Sequence, residues 1–434
     1  MKRGCRRSWS AAVFGAVVLV LAGCVVSDGP LPVGTGPVGV PMPRAFDPPS
    51  DFGAPTVWMS RVEDAPVPMV HVLDGVAGWR ADAEGLTRVD FLTHTVHPGV
   101  RPDNPLGGGL GDRRGGDLAV DVLGNPVVAD TALGRIVLAA FPVEVPAAGT
   151  SPTGHGVELV AADSATATKR LSVTVPVPAL TPGSGPGIGW SSVLGVHDSL
   201  VLVSATSTAG GFVAGIDLVS GIVVWTVPAM VGLMIVGDTV VVKHGSGPDT
   251  DVRGLSAVDG TQRWEGVESG AVNRIGDRQV LVGTPQRGSA VFDAVTGSEV
   301  VSSLSGRLAG WRCLDDGDSV TVCQVSQNAK PYAVLGFDRT GAELWRIVDE
   351  PGSTRVPPMV TAVWHGAVYG YTWGSDAGLV LDARTGADRT PAATAAPILV
   401  NEYFGIAPAP RPKSSGFSND QRGFSETVAV PAIS

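Results

Sequence analysis

Two cysteines in the last third of this 434-residue chain are the residues best placed for covalent chemistry. Cys313 and Cys323 flank Leu314-Asp315-Asp316-Gly317-Asp318-Ser319-Val320-Thr321-Val322, which reads as two strands joined by an acidic turn. A hairpin sets the two thiols opposite each other. Non-hydrogen-bonded partners in an antiparallel pair lie ~4.5 Å apart at Cα, the close end of the disulfide range. A disulfide is the favoured reading, against two buried free thiols, and so small a loop limits its stabilisation to at most ~3 kcal/mol. The Asp-Asp-Gly-Asp turn lacks the spacing and the terminal Glu of a calcium loop. Arg88 to Val96 reads as a strand, and His94 and His97, three apart in this strand-like region, are pointed by alternation to opposite faces and away from a shared metal. Leu106 to Leu118 is glycine-rich but lacks the Gly-Lys-Ser/Thr ending of a phosphate loop and reads as a connection. No His-Glu-x-x-His, Gly-x-Ser-x-Gly or Cys-x-x-Cys occurs. The sequence therefore singles out no catalytic residue, no cofactor ligand and no metal ligand.

The N-terminus carries a different chemistry. Lys2, Arg3, Arg6 and Arg7 precede an apolar run, Ala11 to Leu21, followed by Leu21-Ala22-Gly23-Cys24. A positive start, a short apolar run and small residues at the cut are the parts of a secretory signal. The run falls short of the ~20 residues of a membrane span. The LAGC tetrapeptide resembles the bacterial lipobox. That resemblance implies that the Cys24 thiol receives a diacylglycerol and that Cys24 becomes the first residue of the mature chain. Two acyl chains anchor stably where one does not. Arg6-Arg7 is followed by Ser8-Trp9-Ser10, a poor fit to twin-arginine export, so the general secretory route is expected. Export also places Cys313 and Cys323 in an oxidising compartment. Residues 24–55 are rich in Pro and Gly without hydrophobic periodicity and read as a tether, leaving 56–434 as the folded domain.

Composition narrows the partner. The formal charge of −10, with the one basic cluster in the signal, disfavours nucleic acid. Charged residues are only 17% of the chain, against a usual ~25%.

Short β-branched runs broken by Gly, Asp and Ser fill the chain from about residue 118. Ser199 to Ser204 (SLVLVS), Asp238 to Val242 (DTVVV) and Ser319 to Val325 (SVTVCQV) are examples. Many do not alternate apolar with polar, as expected of strands buried on both faces. A signature follows each run. Asp217-x-x-x-Gly221-x-x-x-Trp225 is its fullest form. Ser256, Gly260 and Trp264 repeat it; Asp293 and Gly297 repeat it with Val301 for the ring; Asp338, Gly341 and Trp345 repeat it with a turn one residue shorter; Asp382 and Gly386 repeat it with Thr390. Asp163, Ala167 and Leu171 make a fainter copy. The five glycines are spaced 39, 37, 44 and 45 residues apart. A period near forty built from about four strands marks a β-propeller blade. The acid and glycine suit the hairpin turn between a blade's third and fourth strands. The tryptophan, on the outer strand, can bury ~150–250 Å² between neighbouring blades.

GIDLVSGIVVW and GFDRTGAELW resemble the repeats of the quinoprotein-type propeller family, over roughly residues 156 to 391. That family includes quinone-dependent alcohol and sugar dehydrogenases, and exported lipoproteins without a cofactor, among them the propeller lipoprotein of bacterial outer-membrane assembly. The chain departs from the enzymes: it is shorter, has no vicinal cysteine pair, and offers no identifiable calcium and quinone ligand set. The resemblance therefore implies repeat geometry without redox activity.

The expectation is an all-β propeller of four-stranded blades. Seven blades are favoured, the seventh formed by joining a strand from residues 395–434 to one from 56–117; eight follow if 56–117 hold a full blade, and six if neither contributes. The expected protein is a monomeric, membrane-anchored extracytoplasmic lipoprotein, not an enzyme, that binds or scaffolds a protein or envelope partner. A quinone-dependent or sugar-acting propeller enzyme is the alternative.

Overall fold

The computed structural model describes residues 41–61, 66–105, 123–147, 149, 153–177, 188–207, 210–245, 250–268, 270–284, 288–304, 311–327, 330–375, 377–409 and 426–434. Cys24, the signal segment, the first part of the tether and the glycine-rich stretch 106–118 lie outside the described residues.

The described residues contain strands and turns and no helix, and hence none long and apolar enough to cross a membrane. Thirty-two strands form eight antiparallel sheets of four. Blades 1 to 7 span 72–100, 127–176, 188–228, 230–268, 272–304, 311–348 and 358–393. Blade 8 joins Leu399–Val400, Phe404–Pro408 and Glu426–Pro431 to Val57–Ser60, which supplies its outer strand. Each blade's innermost strand touches the next around a closed cycle, ending with blade 8 against blade 1. The molecule is thus an eight-bladed propeller.

Its core is divided among the seams. Eight hydrophobic clusters each span two neighbouring blades. In blade 2, Ile136, Leu138 and Ala140 enter the cluster shared with blade 3, while Val137, Ala139, Phe141 and Val143 enter the one shared with blade 1. In blade 4, Val240 and Val242 face blade 3 and Val241 faces blade 5. Period-two geometry sends successive side chains to opposite faces, and both faces are apolar interfaces. This is the physical origin of the unbroken aliphatic runs.

Inner strands have an edge with no strand partner in their own sheet, and neighbouring blades satisfy part of it. Gly232 N donates to Ser204 Oγ at 2.8 Å and Val360 N to Gln324 Oε1 at 2.6 Å. Asn273 bridges blades 5 and 6: its Nδ2 donates to Trp311 O at 2.9 Å, and its Oδ1 accepts from Cys313 N at 3.1 Å. A buried backbone donor left without a partner costs ~1–3 kcal/mol, so these short polar side chains weld the hub.

The favoured count of seven is corrected to eight. Residues 72–100 hold a complete blade, while Val57–Ser60 closes another. The reading of Arg88 to Val96 as one strand is overturned as well. The chain there ends strand Gly85–Asp90, turns, and begins strand Thr95–Val100. The turn is a seventh copy of the signature, Asp90-Phe91-Leu92-Thr93-His94, with His94 at φ 56° where other blades place glycine. Histidine tolerates this region better than most residues, which disguises the copy.

The chain crosses the base of blades 7 and 8 before entering its first strand. Phe46 N bonds Glu402 O at 2.8 Å, Asp47 meets His365 at 2.5 Å, and Tyr369 Oη donates to Pro49 O at 2.7 Å. Phe52 is fully buried against Tyr369. The first and the last strand of the described residues therefore meet in the sheet that shuts the ring, which leaves no described blade unpaired. Deleting Glu426–Ser434 strips one strand from blade 8 and the partner from Val57–Ser60. Loss of the cooperative thermal transition, with light scattering from exposed edges, is the expected outcome in circular dichroism melts. An unchanged midpoint would contradict closure as a source of stability.

Candidate functional site

The signature turns gather at one end of the blades, with the connections between first and second strands. In six of them an aspartate side chain organises the backbone. Asp217 Oδ1 accepts from Ser220 N and Ser220 Oγ, both at 2.7 Å. Asp293 and Asp382 repeat this with Thr296 N at 2.8 Å and Thr385 N at 2.9 Å. Asp90, Asp163 and Asp338 do the same toward Thr93, Thr166 and Thr340. Blade 4 uses Ser256, whose hydroxyl accepts from Val258 N at 3.3 Å. The chain then turns through positive φ at Gly221 (67°), Gly260 (72°), Gly297 (68°), Gly341 (79°) and Gly386 (67°), where a Cβ would be strained. Ala167 accepts that strain at φ 54°.

Each signature tryptophan lies against the signature glycine of the next blade. A methyl group at Gly260 would fall 2.7 Å from the Trp225 ring, one at Gly297 2.6 Å from Trp264, and one at Gly386 2.7 Å from Trp345. Trp264 Nε1 donates to Ala294 O and Trp345 Nε1 to Ala383 O, both at 2.7 Å, across the same seams. Trp225 Nε1 is buried without such a bond. Between blades 5 and 6, Gln279 takes the place against Gly341, its Nε2 donating to Thr340 O at 2.7 Å.

A second regularity escapes the signature as read from sequence alone. The ring pairs directly across its own sheet with a glycine on the third strand: Gly215 with Trp225, Gly254 with Trp264, Gly336 with Trp345. Where the ring is absent the partner grows, as in Ala161 with Leu171 and Val380 with Thr390; Val291 is the register partner of Val301. Side-chain volume across the pair is compensated, as close packing requires. The legible signal was Gly-x-Asp/Ser, two residues before the turn. One residue before the ring position, the outer strand carries a β-bulge in blades 2 to 7, which places Arg170, Val224, Arg263, Val300, Leu344 and Arg389 outside the regular register. Bulges on an edge strand turn it away from edge-to-edge pairing.

The arginines at these bulges carry the electrostatics of this end. Arg170 and Arg389 reach Asp163 and Asp382 at 2.6 Å. Arg263 reaches Asp238 at 2.7 Å in blade 4, whose turn residue is Ser256. In blade 5 the cation comes from the first turn instead, Arg278 to Asp293 at 2.5 Å. Burial opposes ionisation of Asp163, but Arg170 and the Thr166 donors outweigh it and hold the carboxyl at about 2. Asp293 and Asp382 are lowered in the same way, against burial, by Arg278 and Arg389. Hydrogen bonds from Ser220 and Ser199 lower Asp217 without any cation.

Cys313 and Cys323 are direct register partners and form a disulfide, with Cα atoms 4.0 Å apart. The Cys313 N–H turns away to Asn273, as a non-hydrogen-bonded pair demands. The acidic turn beyond it is a capped turn: Asp316 Oδ1 accepts from Asp318 N, Ser319 N and Val320 N, and Oδ2 from Gly366 N of blade 7. His94 and His97 are not brought together for a metal, since His94 sits in the turn of blade 1 and His97 pairs with Arg88. Among the described residues no three His, Cys, Asp or Glu side chains are grouped to hold a metal ion.

These features define a propeller whose blades are joined by repeated acid turns and ring-to-glycine contacts. No protein-family model matches the sequence, and no curated protein sequence matches it significantly. Solved structures of propellers are similar at a distance. BamB from Moraxella catarrhalis shares 18% identity over 62% of this chain and 74% of its own, at a TM-score of 0.31. A chain of the mitotic checkpoint complex shares 10% over 78% and 99%, at 0.40. The Dos1 propeller shares 11% over 80% and 96%, at 0.37. Likeness this distant assigns no role to any residue here.

Two expectations follow from the belt. Trp264→Ala removes a ring that is only 8% exposed and is expected to lower unfolding free energy by ~3–5 kcal/mol, read from denaturant melts. Ala167→Gly relieves left-handed strain and is expected to raise it by ~1 kcal/mol. The acid limb of stability has two windows. His71 is pushed down from 6.5 to about 4 by burial and by Arg80 and Arg61, so its contribution is complete above 6.5 and lost as pH falls to 4. Asp163, lowered from 3.8 to about 2, contributes fully above 3.8 and loses this as pH falls to 2. Asp293 and Asp382 share the lower window, so Asp163→Asn is expected to reduce the slope there and leave the upper window unchanged in melting midpoints measured against pH.

Proposed function

We propose that this chain is an exported lipoprotein, anchored through Cys24 on the extracytoplasmic face of the membrane, whose propeller of quinoprotein-type repeats displays a rigid surface to a protein or envelope partner. Support comes first from the basic start, short apolar run and LAGC tetrapeptide that precede the Pro/Gly-rich segment. The observation that carries the display reading is the joint between that segment and the ring. The incoming chain is bonded to blades 7 and 8 through Phe46, Asp47 and Pro49, and continues into the strand that closes blade 8. A load on the tether is thereby carried by backbone ladders and by a sheet buried on both faces. Such a ring holds its surface residues at fixed separations, which reduces the ordering cost of binding.

Labelling cells with an alkynyl fatty acid tests the anchor. Wild-type chain is expected to carry label and fractionate with membranes, and Cys24→Ala to lose the label and remain unprocessed. In-cell photo-crosslinking of the wild-type chain is expected to trap a discrete partner. An unlabelled wild-type chain would remove the anchor; absence of any trapped partner would remove display. Dye-linked dehydrogenase activity after addition of quinone and calcium would replace display with catalysis.

A further inference from the structure

The rim between blades 3 and 4 lacks the ion pair that holds the turn carboxylate in four of the other blades. The turn carboxylate has a cation near it in blades 2, 5 and 7 through Arg170, Arg278 and Arg389. Arg88 stands 3.4 Å from Asp90 in blade 1, whereas Asp338 in blade 6 is held by Thr340 and Ala342 donors and, among the described residues, by no ion pair. In blade 3 the bulge position is Val224. Asp217 Oδ2 receives only Ser199 Oγ, at 2.9 Å, and among the described residues no Lys or Arg bonds its carboxylate. Beside it Asp198, with a side chain 88% exposed, has His197 at 3.7 Å as its one ion-pair neighbour among the described residues.

A groove of about 620 Å³ opens at this place, and its lining includes the polar Asp198, Asp217 and Ser220 and the aliphatic Ile222, Val224 and Val258. The aliphatic side chains stand in solvent: Val219 is 66% exposed, Ile222 61%, and Val224 and Val258 53%. The outer strand Ile222–Pro228 carries no charge, as is also true of Thr95–Val100 and Val57–Ser60, whereas the outer strands of blades 2, 4, 5, 6 and 7 carry Lys169, Arg263, Glu299, Glu343 and Asp388. Charge on an edge strand is the usual guard against pairing with another chain, and it is missing here.

We propose that this groove receives an extended aliphatic segment of the displayed partner that carries an arginine. Its guanidinium supplies to Asp217 in trans what Arg170 and Arg389 supply in cis to their own turns. The charge of the groove selects the sign of that residue, and two carboxylates without a Lys or Arg partner among the described residues disfavour an acidic segment. The planar fork suits a carboxylate better than an ammonium does. Flanking aliphatics of the segment cover Ile222, Val224 and Val258. The inference rests on the display reading and adds the chemistry of the partner.

Titration of the full chain with acetyl-Val-Ile-Arg-Val-Thr-amide, followed by fluorescence anisotropy of a labelled peptide, tests it. The arginine peptide is expected to bind about tenfold more tightly than its citrulline counterpart, the difference one charged hydrogen-bonded contact makes. Val224→Arg places the guanidinium where blades 2 and 7 hold theirs, and is expected to abolish binding of both peptides while melting no lower than wild type. Equal affinity for the two peptides, no binding by wild type, or binding undiminished in Val224→Arg would overturn the proposal. So would a dimer in light scattering that Val224→Arg dissolves, which would assign the groove to a second copy. The two readings separate in photo-crosslinking: a wild-type partner still trapped by Val224→Arg defeats the groove alone, whereas a wild type that traps nothing defeats display itself.

Discussion

Every sheet in this molecule has two apolar faces, and neither can be left in water. A single blade cannot fold by burying one side, because Val137, Ala139 and Phe141 look one way while Ile136, Leu138 and Ala140 look the other. Burial of such surface is worth ~25 cal/mol per Å² removed from water, so each blade needs two neighbours. A row of blades would always leave two faces exposed at its ends. A ring alone has no ends, and eight seam clusters are the result.

Other features keep the seams in register. Ring-to-glycine contacts fix how far one blade slides past the next, since Trp264 has room only because Gly254 and Gly297 lack side chains. The acid turns hold those glycines in place and fix where the outer strand begins. Asn273, Ser204 and Gln324 fasten the hub by giving inner-strand amides a partner on the neighbouring blade. The disulfide lies at this hub too, tying the first two strands of blade 6 beside the Asn273 bridge. Closure depends on the same logic at longer range, for Val57–Ser60 can complete blade 8 only when its partners Glu426–Ala429, at the other end of the domain, are already in their sheet.

Rigidity of this kind bears on function through the surface rather than the core. Four of the six acid turns at the signature end have an ion pair of their own, so their charges are balanced within the molecule. Departures from a repeated pattern are therefore informative, because the fold already has a working solution at the other positions. Blade 3 combines an aliphatic bulge residue, Val224, with a turn aspartate that no cation reaches from the first turn, and this leaves Asp217 and a row of aliphatics facing solvent together.

The chain by itself determined a great deal of this. The forty-residue period, the Asp-to-Gly turn and the tryptophans specified blades, because turn chemistry and strand patterning are local and repeat along the chain. Cys313 and Cys323 were legible as partners because ten residues of hairpin set their register. The blade count was not, since Asp90 to His94 satisfies the turn without glycine and its outer strand lacks the ring. The matching of Gly254 to Trp264, or of Ala161 to Leu171, is written in the sequence yet becomes visible only once register is known. The groove of blades 3 and 4 belongs wholly to the tertiary structure. Val258 is thirty-four residues from Val224, and nothing local brings them together; adjacency around the ring does, because hydrophobic faces must find each other wherever in the chain they lie.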